Sequence, residues 1–78
     1  MKVKFSIETT EHVIDCRSTE WPLLDSSEGR LLQSQLLQQK SVASQLDKKF
    51  IVTSNFPIPD AWQNWLQRYH IFSEEEIL

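Results

Sequence analysis

Lys49-Phe50-Ile51-Val52-Thr53, closed by Ser54-Asn55, decides the fold. The run is rich in β-branched and aromatic residues, which fit a pleated, half-buried surface. Ser54-Asn55 then supplies a turn signal. The competing reading makes 49–53 the last turn of a preceding helix. The strand is preferred because the turn residues follow it directly.

Upstream lies that helix. Asp25-Ser26-Ser27-Glu28 is a capping-box pattern, with Asp25 as N-cap and Glu28 three residues on. The helix is expected to reach Leu46 or Lys48. At about 100° per residue, Leu31, Leu32, Leu36, Val42, Ala43 and Leu46 share one arc, as a buried face requires. Gln35 and Gln39 lie inside that arc and Leu37 lies outside it. Leu37 is therefore either a surface leucine or, with the glutamines, a contact for a second subunit or partner.

Before the helix, residues 2–8 alternate as Lys-Val-Lys-Phe-Ser-Ile-Glu, the period of a half-buried strand. Glu11 to Arg17 is its expected hairpin partner, with Thr9-Thr10 or a four-residue loop between them. That register pairs Phe5 with Ile14, Val3 with Cys16 and Ile7 with His12 on one apolar face. Lys4 with Asp15 and Ser6 with Val13 take the other. In the connection 18–24, Pro22 blocks a helix, and Trp21 is expected to fold over the hairpin's apolar face.

Downstream, Phe56-Pro57-Ile58-Pro59 is extended, because a residue before proline avoids the α region. Asp60 and Gln63 suggest a second capping box. Ala61, Trp62, Trp65, Leu66 and Tyr69 then form an i, i+3, i+4 stripe on a short helix. In the tail, Ser73 with Glu76 and Phe72 with Ile77 predict one further helical turn. The expected fold is α+β: a single small domain over residues 1–78, ordered ββαβα. It has an N-terminal hairpin, a long central helix, a third strand and a short C-terminal helix.

Seventy-eight residues leave a thin stability margin, so self-association is a reasonable expectation. Cys16 is the only cysteine, which fits a reducing compartment. The N-terminal lysines precede no apolar signal-like stretch, and no run approaches the ~18 apolar residues of a membrane span. A cytoplasmic location is expected. The net charge of −3 divides into −2 over residues 1–25, +2 over 26–55 and −3 over 56–78. No basic stripe of the kind that binds nucleic acid results.

Catalytic and cofactor signatures are missing. Gly29, the sole glycine, can build neither a P-loop nor a dinucleotide loop. There is no G-x-S-x-G elbow, and Cys16 has no nearby His or helix N-terminus to activate it as a nucleophile. His12 and Cys16 share a strand face but stand about 13 Å apart along it, too far to ligate one metal ion. No enzyme, cofactor or metal site is expected.

Protein binding remains. Trp62, Trp65, Arg68 and Tyr69 gather the residue types that dominate interface energetics, so they and Leu37 are the expected partner-binding residues. The same stripe also reads as core packing for Trp62 and Trp65. The expected function is a non-enzymatic interaction module, an adaptor, inhibitor or assembly factor, with a homodimer as its simplest form. The size suits a phage- or mobile-element-encoded protein with a host protein as target. A single-stranded nucleic-acid accessory protein using Lys40, Lys48, Lys49 and Arg68 is the alternative from another class. A structural homodimer subunit of a larger assembly is a third.

Overall fold

The deciding run is a strand. In the computed structural model, which describes residues 5–76, Lys49–Ser54 is β3 of a four-stranded sheet. The other elements are β1 (Ile7–Glu8), β2 (His12–Arg17), α1 (Ser27–Gln45), α2 (Asp60–Arg68) and β4 (Phe72–Glu75). The fold is α+β, in the order β-β-α-β-α-β. The sheet order is β1-β2-β3-β4, with β1 antiparallel to β2 and the next two pairs parallel.

Two parallel crossovers, β2-α1-β3 and β3-α2-β4, move across the sheet in the same direction. Such crossovers are almost always right-handed, so both helices belong on one side of the sheet. The packing agrees. Val13, Phe50 and Val52 share one core cluster with Leu32, Leu36 and Ala43 of α1 and with Trp62, Trp65 and Leu66 of α2.

Each helix ends in the same device. After α1, Asp47 adopts φ 57°, and the N–H groups of Asp47 and Lys48 donate to the carbonyls of Ser44 and Ala43. After α2, His70 adopts φ 57°, and His70 and Ile71 donate to Gln67 and Leu66. These are Schellman motifs, whose left-handed position normally favours glycine. Each delivers the chain into the next strand within two residues.

The single glycine is used elsewhere. A Cβ on buried Gly29 would stand 2.1 Å from the Leu23 carbonyl oxygen and 2.6 Å from that of Leu24. The first turn of α1 therefore rests directly on the backbone of the 18–24 connection. Ser26, rather than Asp25, is the N-cap, accepting from the Gly29 N–H at 3.0 Å. Pro59 precedes α2 without a side-chain cap, and Asp60 is the first helical residue. Gln63 Nε2 instead donates to the Ile58 carbonyl at 2.8 Å.

Further expectations are corrected. Leu31 and Leu46, expected on the buried face of α1, are exposed. The tail is a strand, not a helical turn. One turn cannot stabilise itself, whereas β4 satisfies its backbone against β3, a ladder that the Glu76 N–H extends by donating to the Ser54 carbonyl. The hairpin register is displaced by two residues, with Ile7 opposite Ile14 and Glu8 opposite Val13 across a four-residue loop. The buried side of β2 is also the reverse of the one expected: Val13 is in the core and Ile14 is not. Pairing with β3 decides this, because it aligns Val13 with Phe50 and Asp15 with Val52 beneath the helices. Lys2, Val3 and Lys4, with the pairs expected of Val3 and Lys4, and the staple to Ile77 lie outside the described residues.

A pair of substitutions tests the backbone argument. Gly29→Ala is expected to destabilise by about 1–3 kcal/mol through forced displacement. His70→Gly is expected to stabilise by about 0.5–1 kcal/mol, the left-handed cost less the extra chain entropy of glycine. Chemical denaturation of both variants measures this, and equal effects would refute it.

Candidate functional site

The side of the sheet away from the helices is built by alternation. Odd-numbered residues of β1 and β3 and even-numbered residues of β2 and β4 point there. Register then lines up Ile7 with Ile14, Ile14 with Ile51, and Ile51 with Phe72. One apolar row crosses all four strands. Ile7 is 48% exposed and Phe72 62% exposed, while Ile14 and Ile51 are half-buried. The helical residues of the core cluster pack on the opposite face, and on this one Thr53, at 9% exposure, is the single buried residue among those described.

The flanking rows are polar and of opposite character. His12 and Lys49 are paired on the side toward the N-terminal ends of the parallel strands. Cys16, Thr53 and Glu74 are paired in sequence on the other. Cys16 is an exposed free thiol. Phe5 leaves the face: the chain bends at Ser6, and the Phe5 ring packs edge-on to Phe50, 6.0 Å away, on the core side.

The aromatic helix contributes mainly to the core. Trp62 is 1% exposed and Trp65 is 7% exposed. Their rings stack in sequence with Trp21 and Tyr69, at centroid distances of 5.2 Å (Trp21–Trp62), 5.5 Å (Trp62–Trp65) and 4.8 Å (Trp65–Tyr69). Trp62 Nε1 donates to the Pro22 carbonyl at 2.7 Å. Trp21 packs here, against the helix side of the sheet, instead of over the Ile14 face. Its Nε1 donates to Ser54 Oγ at 2.9 Å. Of the residues expected to meet a partner, Trp62 and Trp65 are thus inside. Arg68, Tyr69 and Leu37 reach the surface, so they do not form a cluster with exposed indoles.

The basic residues are dispersed. Lys48 pairs with Glu8 at 3.0 Å, and Lys40 Nζ donates to the Tyr69 carbonyl. An open depression of 660 Å³ near His12, Asp47, Lys48 and Lys49 is lined mainly by solvated polar groups. No group of three His, Cys, Asp or Glu among the described residues is placed to hold a metal ion. No described helix is long and apolar enough to cross a membrane.

One polar cluster lies half-buried between β2 and α1. Asp15 points from β2 toward α1, where Gln39 and Ser6 hydrogen-bond its side chain. This accounts for Gln39 within the helix's apolar arc, while Gln35 is exposed. Burial pushes the Asp15 carboxyl above its ordinary value, against the opposing effects of Gln39, Arg17 and Ser6. Burial lowers the Arg17 pKa, and Asp15 opposes that shift. The Arg17 guanidinium lies 4.8 Å from the Trp21 ring centroid and donates to Thr19 Oγ1 and the Glu20 carbonyl. The stacked position matches a cation–π contact.

Comparison with protein-family models, curated proteins and solved structures gives no match.

The Asp15 carboxyl makes a pH prediction. A raised folded pKa means the folded state holds this proton more tightly than the unfolded chain. Its stabilising contribution is fully present below the ordinary value of 3.8 and is lost as pH rises through the folded value. The difference in unfolding free energy between wild type and Asp15→Asn should therefore change across that window, with wild type losing ground as pH rises. A pH-independent difference would contradict the assignment.

Proposed function

We propose that this protein is a small non-enzymatic interaction module, acting in the cytoplasm as an adaptor, inhibitor or assembly factor. Its contact surface is the bare sheet face rather than the aromatic face of α2. The observation that carries this reading is the continuous row Ile7, Ile14, Ile51 and Phe72. Parallel strands are ordinarily covered on both faces. Here β2, β3 and β4 are parallel, and the described helical residues cover one face only. Contiguous exposed apolar surface on a small domain commonly marks a partner site.

The burial of Trp62 and Trp65 moves the proposed surface away from α2. Their indoles support the sheet from the inner side, so a partner meets them only through the fold they stabilise. The dispersal of Lys40, Lys48, Lys49 and Arg68 gives the nucleic-acid reading little support, since phosphate neutralisation needs several cations acting together.

The test compares two faces of a folded protein. Ile7→Ser/Phe72→Ser removes exposed apolar surface with little loss of core. Tyr69→Ala and Leu37→Ala alter the helical side. A photo-crosslinking side chain introduced at Phe72 is expected to trap a protein chain, and the Ile7→Ser/Phe72→Ser pair to abolish a purified interaction while retaining the wild-type melting profile. Loss of the interaction with Tyr69→Ala but not with the sheet pair would move the site back to α2. Steeply salt-dependent oligonucleotide binding, lost in Lys49→Ala, would replace the reading altogether. Trp65→Ala is a control for folding. It is expected to cost about 3–5 kcal/mol, a large part of the stability of a domain this small.

A further inference from the structure

We propose that the bare face docks on a second copy of this chain, the two sheets stacked about a twofold axis that runs along the Ile7–Ile14–Ile51–Phe72 row. This rests on the sheet face being the contact surface, and it names the occupant.

Charge placement selects the arrangement. Lys49 and His12 flank the row on one side, and Glu74 flanks it on the other. A twofold along the row reverses strand direction between the copies. The row then lies on its own counterpart, as an isologous interface requires. The end carrying Lys49 covers the second copy's end carrying Glu74. Stacked sheets are about 10 Å apart and neighbouring strands about 4.8 Å apart. Extended Lys49 and Glu74 side chains, one strand apart in column, can meet across that gap. A twofold along the strands instead lays the His12–Lys49 end over its own copy and brings like charges together.

The sheet edges direct self-association to the face. The free edge of β4 bears Glu74, Glu75 and the adjoining Glu76, and β1 at the opposite edge is two residues long. Acidic and very short edge strands oppose edge-to-edge pairing. Face-to-face stacking leaves both edges in solvent and covers the apolar row.

The face is small. Four strands and about five residues of length give a footprint of roughly 20 by 16 Å, which is below the ~800 Å² per partner of a standard interface. A weak, reversible dimer is therefore expected.

Sedimentation equilibrium over a concentration series reaching about 1 mM tests this on the whole chain, with melting curves as a fold control. Wild type should dimerise. Lys49→Glu and Glu74→Lys should each weaken self-association about tenfold or more, and an equimolar mixture of the two should recover it as a heterodimer. A wild type that stays monomeric across the series overturns self-docking but leaves the face open to a different protein. A dimer indifferent to both charge reversals, yet lost in Ile7→Ser/Phe72→Ser, overturns the twofold proposed here while retaining the face. A dimer that survives Ile7→Ser/Phe72→Ser overturns both the self-docking and the face on which it rests.

Discussion

The handedness of two crossovers is the constraint on which the rest of this molecule depends. Strands β2, β3 and β4 are added in order across the sheet, and each addition passes through a helix. Because right-handed crossovers advancing in one direction put every helix on the same side, α1 and α2 are companions. The chain has no third long helix among its described residues to place on the other side. Its inner side becomes crowded, and its outer side is left without a covering helix among the described residues. Both the buried tryptophans and the exposed isoleucine row follow from that division.

On the inner side, large rings solve a volume problem for a small domain. Trp21, Trp62 and Trp65 fill the space between the helices and the ends of the strands. Indole N–H groups require partners when buried, and two are supplied by the Pro22 carbonyl and by Ser54. Ser54 is itself fully buried. Its Oγ accepts from Trp21 and the Phe56 N–H and donates to the Phe56 carbonyl. A single hydroxyl therefore joins the end of β3, the 18–24 connection and the approach to α2. Gly29 does the equivalent for α1, letting its first turn rest on carbonyls that any side chain would displace.

Local chemistry was legible in the sequence, and choices made between distant elements were not. β3 was readable from Phe50, Ile51 and Val52, and the two main helices from their periodicity. The tail was misread because Ser73 and Glu76 satisfy a capping pattern equally well in a segment too short to form a stable helix. Pairing with β3 offered that segment a better use of its backbone groups. The hairpin face was misread for a related reason. Ile14 and Cys16 made the more apolar side of β2 in isolation, but coverage by α1 and α2 selects the side of Val13. Trp62 and Trp65 fitted either a core or an interface at the same helical spacing, and only the position of the sheet separates those roles. The exposed row itself had no sequence signal beyond ordinary strand alternation, since it is assembled by register across four segments.

Within that row, Phe72 discriminates between an intrinsic and an extrinsic reason for apolar side chains. Cross-strand pairs contribute about 0.2–1 kcal/mol each, so Ile14 and Ile51, with neighbours on both sides, are accounted for by packing within the sheet. A threonine would serve strand propensity nearly as well, as Thr53 does in the adjacent row. Phe72 stands on an edge strand with one cross-strand neighbour in the row, and 62% of it faces solvent. Packing within the sheet accounts for little of so large a ring. Covering an aromatic side chain fully is worth about 1.5–3 kcal/mol, more than its single pair can supply. The energetic return on Phe72 is therefore obtained mainly when something lies against the sheet, which supports the proposal of the sheet face, rather than the tryptophan helix, as the contact surface.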